Sequence, residues 1–226
     1  MRQLSKQNIQ VIYLYASTLL GSLLGFATSI VNTNFLSDSD YGDVRYVQNL
    51  LTLLASLLLF GYFLSGSRLL AVSNNRNYSS RVRGAMIVVL AICSILLILM
   101  TYISALFHRE NNLMSLFLIS MPVCMYPLFT NYINTTAQGD NHIARLAISR
   151  VLPALIYVPI AYMLYSMVTV TSSLMILLQW GIYCVVLLVI ILSTRPTFNN
   201  LRPVFSDLKN ENNTYGKHLY YGSLLM

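Results

Sequence analysis

The chain has 226 residues, 56% of them hydrophobic and only 9% charged, with a formal charge of +7 and a mean hydropathy of +0.63. A soluble domain carries about a quarter charged residues, so this composition demands lipid as its solvent. It excludes a soluble enzyme built around a polar cleft. It also argues against a nucleic-acid partner, because the basic residues are interleaved with apolar runs rather than gathered on one face.

Arg2 and Lys6 precede the first apolar run, 9–31. That run exceeds the roughly 7–15 residues of a signal-peptide core and no A-x-A site follows, so it is a retained first span. Ser17, Gly21, Gly25 and Ser29 form a small-residue stripe along it, suited to close helix packing. Asn32 and Asn34 stand at its far end, before an acidic turn of Asp38, Asp40 and Asp43. A second span is expected over 50–70, with Gln48 and Asn49 near its start and the basic series Arg68, Arg76, Arg81 and Arg83 after it. The third, 85–107, is almost uniformly aliphatic and should face lipid.

The turn 108–112 leads to a fourth span, 113–133, in which Pro122 and Pro127 free backbone carbonyls and bend the helix. It ends in a polar set of Asn131, Asn134, Thr135 and Gln138. Arg145 and Arg150 precede a fifth span, 151–170, and a sixth, 174–192, carries Gln179 and the single tryptophan, Trp180. Residues 194–217 read as a linker in which Leu201, Val204, Phe205 and Leu208 predict a short amphipathic helix lying at the membrane interface. Residues 218–226 read as the start of a seventh span.

Charge sets the expected orientation. Twelve basic residues fall on the N-terminal side of these spans, and only Arg45 and Arg109 fall on the other. Positive residues stay inside, so the expected fold is an all-α, polytopic six-transmembrane-helix bundle with a cytoplasmic N-terminus and the acidic turn outside.

No catalytic constellation is present, and neither a cofactor nor a metal is expected: His108, His142 and His218 lie in different connections, and Cys93, Cys124 and Cys184 are scattered packing residues. No carboxylate lies within a span, so a coupling ion has no intramembrane acid to use. The candidate binding residues are therefore arginines and amides. Arg150, Arg45 and Arg68 at span ends suit a phosphate or pyrophosphate, or else snorkel to lipid headgroups. Asn34, Gln48, Asn49, Asn131 and Asn134 could bond sugar hydroxyls or join helices to each other. Tyrosines near span ends, including Tyr13, Tyr46, Tyr62, Tyr102, Tyr126 and Tyr132, read as an interfacial belt.

Two stretches carry a resemblance. The outer turn LSDSDYGDVRYVQ, with Leu36, Ser37, Tyr41 and Gly42 in an L-S-x-x-x-Y-G arrangement, leads through span two to SGSRLLA; AQGDNHIARLAISRVLPALIYV opens span five. Together they resemble the bacterial polysaccharide flippases, the O-antigen and exopolysaccharide translocases of the multidrug/oligosaccharidyl-lipid/polysaccharide exporter superfamily. The resemblance implies the first lobe of a transporter of about twelve to fourteen helices that moves polyprenyl-pyrophosphate-linked oligosaccharide across the bacterial inner membrane by alternating access. It implies a C-terminal lobe supplied in cis or in trans; a truncated chain is the preferred reading, beside a split gene product or pairing with another lobe. Membrane lipids, a polysaccharide polymerase and a chain-length regulator would be its partners. A cation-coupled multidrug antiporter of the same superfamily and a membrane enzyme of polysaccharide assembly are the alternatives.

Overall fold

The computed structural model describes residues 6–73, 75–109 and 113–224, all of whose regular structure is helical. Arg2, residues 110–112 of the expected turn and the last two residues lie outside the described residues. Five helices are long and apolar enough to cross a membrane, and a bent pair makes a sixth span if counted as one.

The first helix, α1 (Lys6–Phe35), leans chiefly on α7 (Ile143–Tyr165), and the two run side by side in the same direction. Gly21 makes the approach: a Cβ there would sit 3.7 Å from the Arg150 carbonyl oxygen. At the far end Phe35 packs edge-on against Tyr162 and Tyr165.

The expected acidic turn is helix. Ser37 caps α2 (Asp38–Leu57) by accepting from the Asp40 amide, and Asp38 and Asp40 stand in the first turn, where carboxylates complement the helix dipole. The second span is broken rather than continuous: α2 gives way to α3 (Tyr62–Val72) at an angle of 61°. Phe60 (φ 45°) and Gly61 (φ 79°) occupy the left-handed region that ends one helix and starts the other. The carbonyls released there find partners, since the Tyr220 hydroxyl donates to Leu57 O at 2.8 Å and the Cys93 thiol to Leu58 O at 3.3 Å.

The aliphatic α4 (Arg76–Phe107) leaves Ile92, Ile95, Leu99, Ile103 and Phe107 exposed, as a lipid-facing helix should. Its 32 residues span about 48 Å, longer than the hydrocarbon core, so its basic first turns project beyond the apolar layer. The fourth span starts as α5 (Leu113–Ser120), passes through a 3₁₀ turn at Pro122, and continues as α6 (Tyr126–Gly139). Pro127 lacks the amide that would bond Val123 O, and the Cys184 thiol reaches that carbonyl at 3.5 Å. The helix continues past residue 133 to Gly139, and α7 begins at Ile143, so Arg145 and Arg150 are helical residues rather than part of a connection. The last of these spans is α8 (Ser172–Ser193), held at its start by Thr171.

The amphipathic segment is α9 (Leu201–Glu211), with Val204 and Leu208 buried. Its apolar face packs on α3 and α4, not on lipid. Tyr78 donates to Asp207 at 2.8 Å and Arg68 pairs with Glu211 at 2.8 Å, which clamps α9 to the bundle. A π-helical turn, Asn212–Gly216, carries the chain directly into α10 (Lys217–Leu224). This turn is set against the α2/α3 break, where Gly61 and Gly216 meet backbone to backbone with no room for a side chain on either.

Charge is segregated along the bundle. Arg68, Arg76, Arg83, Arg145, Asp140 and α9 gather at one end, whereas Asp40, Asp43 and the start of α8 meet at the other, where the Ser172 hydroxyl bonds Asp40 at 3.1 Å.

Candidate functional site

The polar interior of the bundle divides into two parts, both resting on α1. The first is a closed amide and phenol cluster. Gln179 of α8 accepts through Oε1 from Asn32 Nδ2 at 3.3 Å and from Gln48 Nε2 at 3.2 Å. Asn32 in turn accepts from the Tyr157 hydroxyl, which is 3.1 Å from that of Tyr165. Four helices are thereby joined by groups that have no water to bond with in lipid.

Arg45 sits at the margin of this cluster. Its Nε donates to the Tyr41 hydroxyl at 2.8 Å, one terminal nitrogen to Gln48 Oε1 at 3.3 Å and the other to Ser29 Oγ at 3.5 Å. The guanidinium also lies 5.1 Å from the Tyr41 ring centre. No carboxylate pairs with it among the described residues. It is a half-buried cation held in place by neutral groups.

The second part is an open cleft of about 420 Å³ between α1, α6, α7 and α8. Arg150 enters it from α7 and donates to Thr18 Oγ1 of α1 at 2.8 Å, again with no carboxylate partner among the described residues. Asn134, Thr130, Ser149, Ser22 and Tyr126 add polar groups around it. Tyr183 connects the two parts: it lines this cleft, and its ring packs edge-on against that of Tyr157 at 6.0 Å between centres.

These residues define a track. Thr18, Ser22, Gly25 and Ser29 recur every three or four residues and so share one face of α1. Arg150 bonds the first of them and Arg45 the last, which separates the two cations by about 16 Å along the helix. Between them a Cβ on Gly25 would meet nothing within 4 Å, so the face is open there.

The expected site residues therefore fall into four sets. Arg45 with Gln48, and Arg150 with Asn134, come together on this face of α1. Asn131 bonds back to Pro127 O at 3.0 Å and lines a separate groove beside Gly61 and Tyr220. Arg68 is drawn away to Glu211, with its guanidinium 4.5 Å from the Tyr215 ring centre. Asn34 and Asn49 are exposed, while their neighbours Asn32 and Gln48 are buried. The stripe predicted for close packing, Ser17, Gly21, Gly25 and Ser29, is split: Gly21 packs on α7, whereas Gly25 and Ser29 belong to the track. Two of the expected belt tyrosines are interior. Tyr132 is fully buried and donates to Arg83 O at 3.3 Å, and Tyr126 stacks near Trp180 beside the cleft.

The long apolar helices define a multi-pass membrane protein, and two of its arginines, Arg45 and Arg150, have no carboxylate partner among the described residues. The family model of the polysaccharide biosynthesis proteins matches residues 9–221. The chain belongs to that family, the family of polysaccharide and O-antigen flippases, whose members are generally transporters rather than enzymes. No curated protein and no solved structure matches it.

Proposed function

We propose that this chain takes part in flipping polyprenyl-pyrophosphate-linked oligosaccharide across the bacterial inner membrane, for the synthesis of O-antigen, capsule or exopolysaccharide. The observation that carries this reading is the pair of guanidiniums, Arg150 and Arg45, bonded only to neutral groups at two levels of one α1 face. A guanidinium forms short, bidentate, charge-assisted bonds with phosphate oxygens, and it keeps its charge in any surroundings. Each of these two has N–H groups left over for such a ligand. The hydroxyls of Thr18, Ser22, Thr130 and Ser149 and the amide of Asn134 suit sugar hydroxyls.

With the N-terminus cytoplasmic, Arg150 lies toward the inner leaflet and Arg45 toward the outer, so the pyrophosphate would be taken at the first and passed to the second. The polyprenyl tail stays in lipid. A second helical lobe, supplied in cis or in trans, would close the other side of the track for alternating access. The work is translocation, with no bond made or broken. Arg150→Ala at native expression in the natural protein should abolish surface polysaccharide, and Arg150→Lys should retain part of it; normal polysaccharide in the alanine variant would contradict the role.

A further inference from the structure

A second cationic pocket lies at the basic end of the bundle, away from the α1 track. It encloses about 570 Å³ between the start of α4, the α6–α7 turn and the end of α8. Four arginines line it: Arg76 and Arg83 from α4, Arg145 from α7 and Arg195 after α8. One carboxylate, Asp140, stands among them and is shared by Arg83 at 3.0 Å and Arg145 at 3.4 Å. Arg76 and Arg195 are exposed and make no ion pair or side-chain hydrogen bond among the described residues. The formal charge of the lining is thus at least +3, from four cations against one anion.

The pocket is built rather than adventitious. Arg83 is held from both sides, by Asp140 and by the Ser80 hydroxyl at 3.1 Å, and its Nε is buried with no partner. Its side chain is only 13% exposed, so the cation is fixed and largely dehydrated. Asp140 is divided between Arg83 and Arg145, so the group the three form keeps a net positive charge. The α4 N-terminus opens onto the same space, capped by Asn75, and adds the positive end of its dipole. Val72 and Leu192, next in sequence to the lining residues Ser73 and Ser193, are exposed and apolar, as suits a pocket at the boundary between headgroups and acyl chains.

We propose that this pocket binds a phosphoryl group, presented by the headgroup of an anionic phospholipid of the surrounding leaflet. Arg76 and Arg195 are the two free cations that close on its oxygens, and Arg83 is the fixed base of the site. The proposal needs only a membrane bundle with this end at the lipid–water boundary; it does not depend on the cargo of the α1 track.

The test uses the natural protein in phosphatidylcholine nanodiscs containing one fifth phosphatidylglycerol, with the lipid retained by the protein counted by native mass spectrometry. Retention of phosphatidylglycerol should fall roughly 30-fold in the double variant R76Q/R195Q, since two arginines near the surface are lost. The control R202Q/K209Q removes the same charge from the exposed side of α9 and should keep it. If millimolar inorganic phosphate leaves the retained lipid in place, a lipid headgroup is the ligand. If inorganic phosphate displaces it in wild type, and binds with the same dependence on Arg76 and Arg195, the pocket takes free phosphoryl groups. Equal loss in the two double variants, or no enrichment over phosphatidylcholine in wild type, would mean diffuse attraction and overturn the site.

Discussion

Arg83 and Arg150 stand in the same bundle, the first largely buried and the second exposed at an open cleft, and keep opposite company. Arg83 shares Asp140 with Arg145 in a pair whose side chains are 13% and 8% exposed, and so ties α4 to the α6–α7 turn. Arg150, like Arg45, reaches only hydroxyls, a phenol or an amide. A cation with its carboxylate is a structural staple, because the charge is satisfied on folding. A cation held by neutral dipoles is placed but not neutralised, and it keeps most of its attraction for an incoming anion. The second span opens on Asp38, Asp40 and Asp43, but α1, α6, α7 and α8 around the track hold no carboxylate, so the difference separates a tie between elements from the cations proposed to take a ligand.

The largest effect should come from breaking the staple. Asp140→Ala leaves two arginines facing each other in a shielded site, which costs about 3–5 kcal/mol. The detergent-solubilised variant should lose its monodisperse peak at a markedly lower temperature, and little of it should accumulate in membranes. Next comes the unpaired cation. Arg150→Ala should leave stability within about 0.5 kcal/mol, because the residue is exposed and loses one bond to Thr18. It should nevertheless weaken binding of a pyrophosphate-linked lipid by about 1.5–3 kcal/mol, roughly 10- to 100-fold. A variant that unfolds without losing affinity would erase the distinction.

A smaller effect is expected at the amide cluster. Gln179→Leu strips the acceptor shared by Asn32 and Gln48, and interhelical bonds in membranes average only about 0.6 kcal/mol each. A loss near 1 kcal/mol in thermal stability is expected, together with a loosened hold on Arg45 through Gln48. The smallest effect belongs to Gly25→Ala. A Cβ there meets open space, and alanine favours helix by up to about 1 kcal/mol, so the fold should be unchanged or slightly firmer. Any loss of transport in that variant would come from the methyl group narrowing the track.

The long helices were legible because apolar runs of about twenty residues leave lipid as the only solvent, and Asn134 and Arg150 announced themselves as polar groups at the ends of such runs. The break at Phe60 and Gly61 was hidden, since FGYF continues an apolar run and hydropathy carries no information about φ. Choosing Asn34 over Asn32, or pairing Asn49 with Gln48, required knowing which face of each helix points inward. Two residues along a helix turn a side chain about 200° away. A shift of one residue, about 100°, separates the predicted stripe at Ser17 and Gly21 from the track at Thr18 and Ser22. In α9 the apolar face was plain, but periodicity names a face and not its partner, and α3 and α4 take the place expected for lipid.

The direct measurement is the dissociation constant of the purified natural protein for a polyprenyl pyrophosphate, compared among wild type, Arg150→Ala and Arg45→Ala, with a polyprenyl alcohol of equal length as the uncharged reference. The two-cation track predicts tight, salt-sensitive binding of the pyrophosphate alone, weakened at least tenfold in each variant while the alcohol binds all three alike. Equal affinity for the pyrophosphate in wild type and in both variants would contradict it.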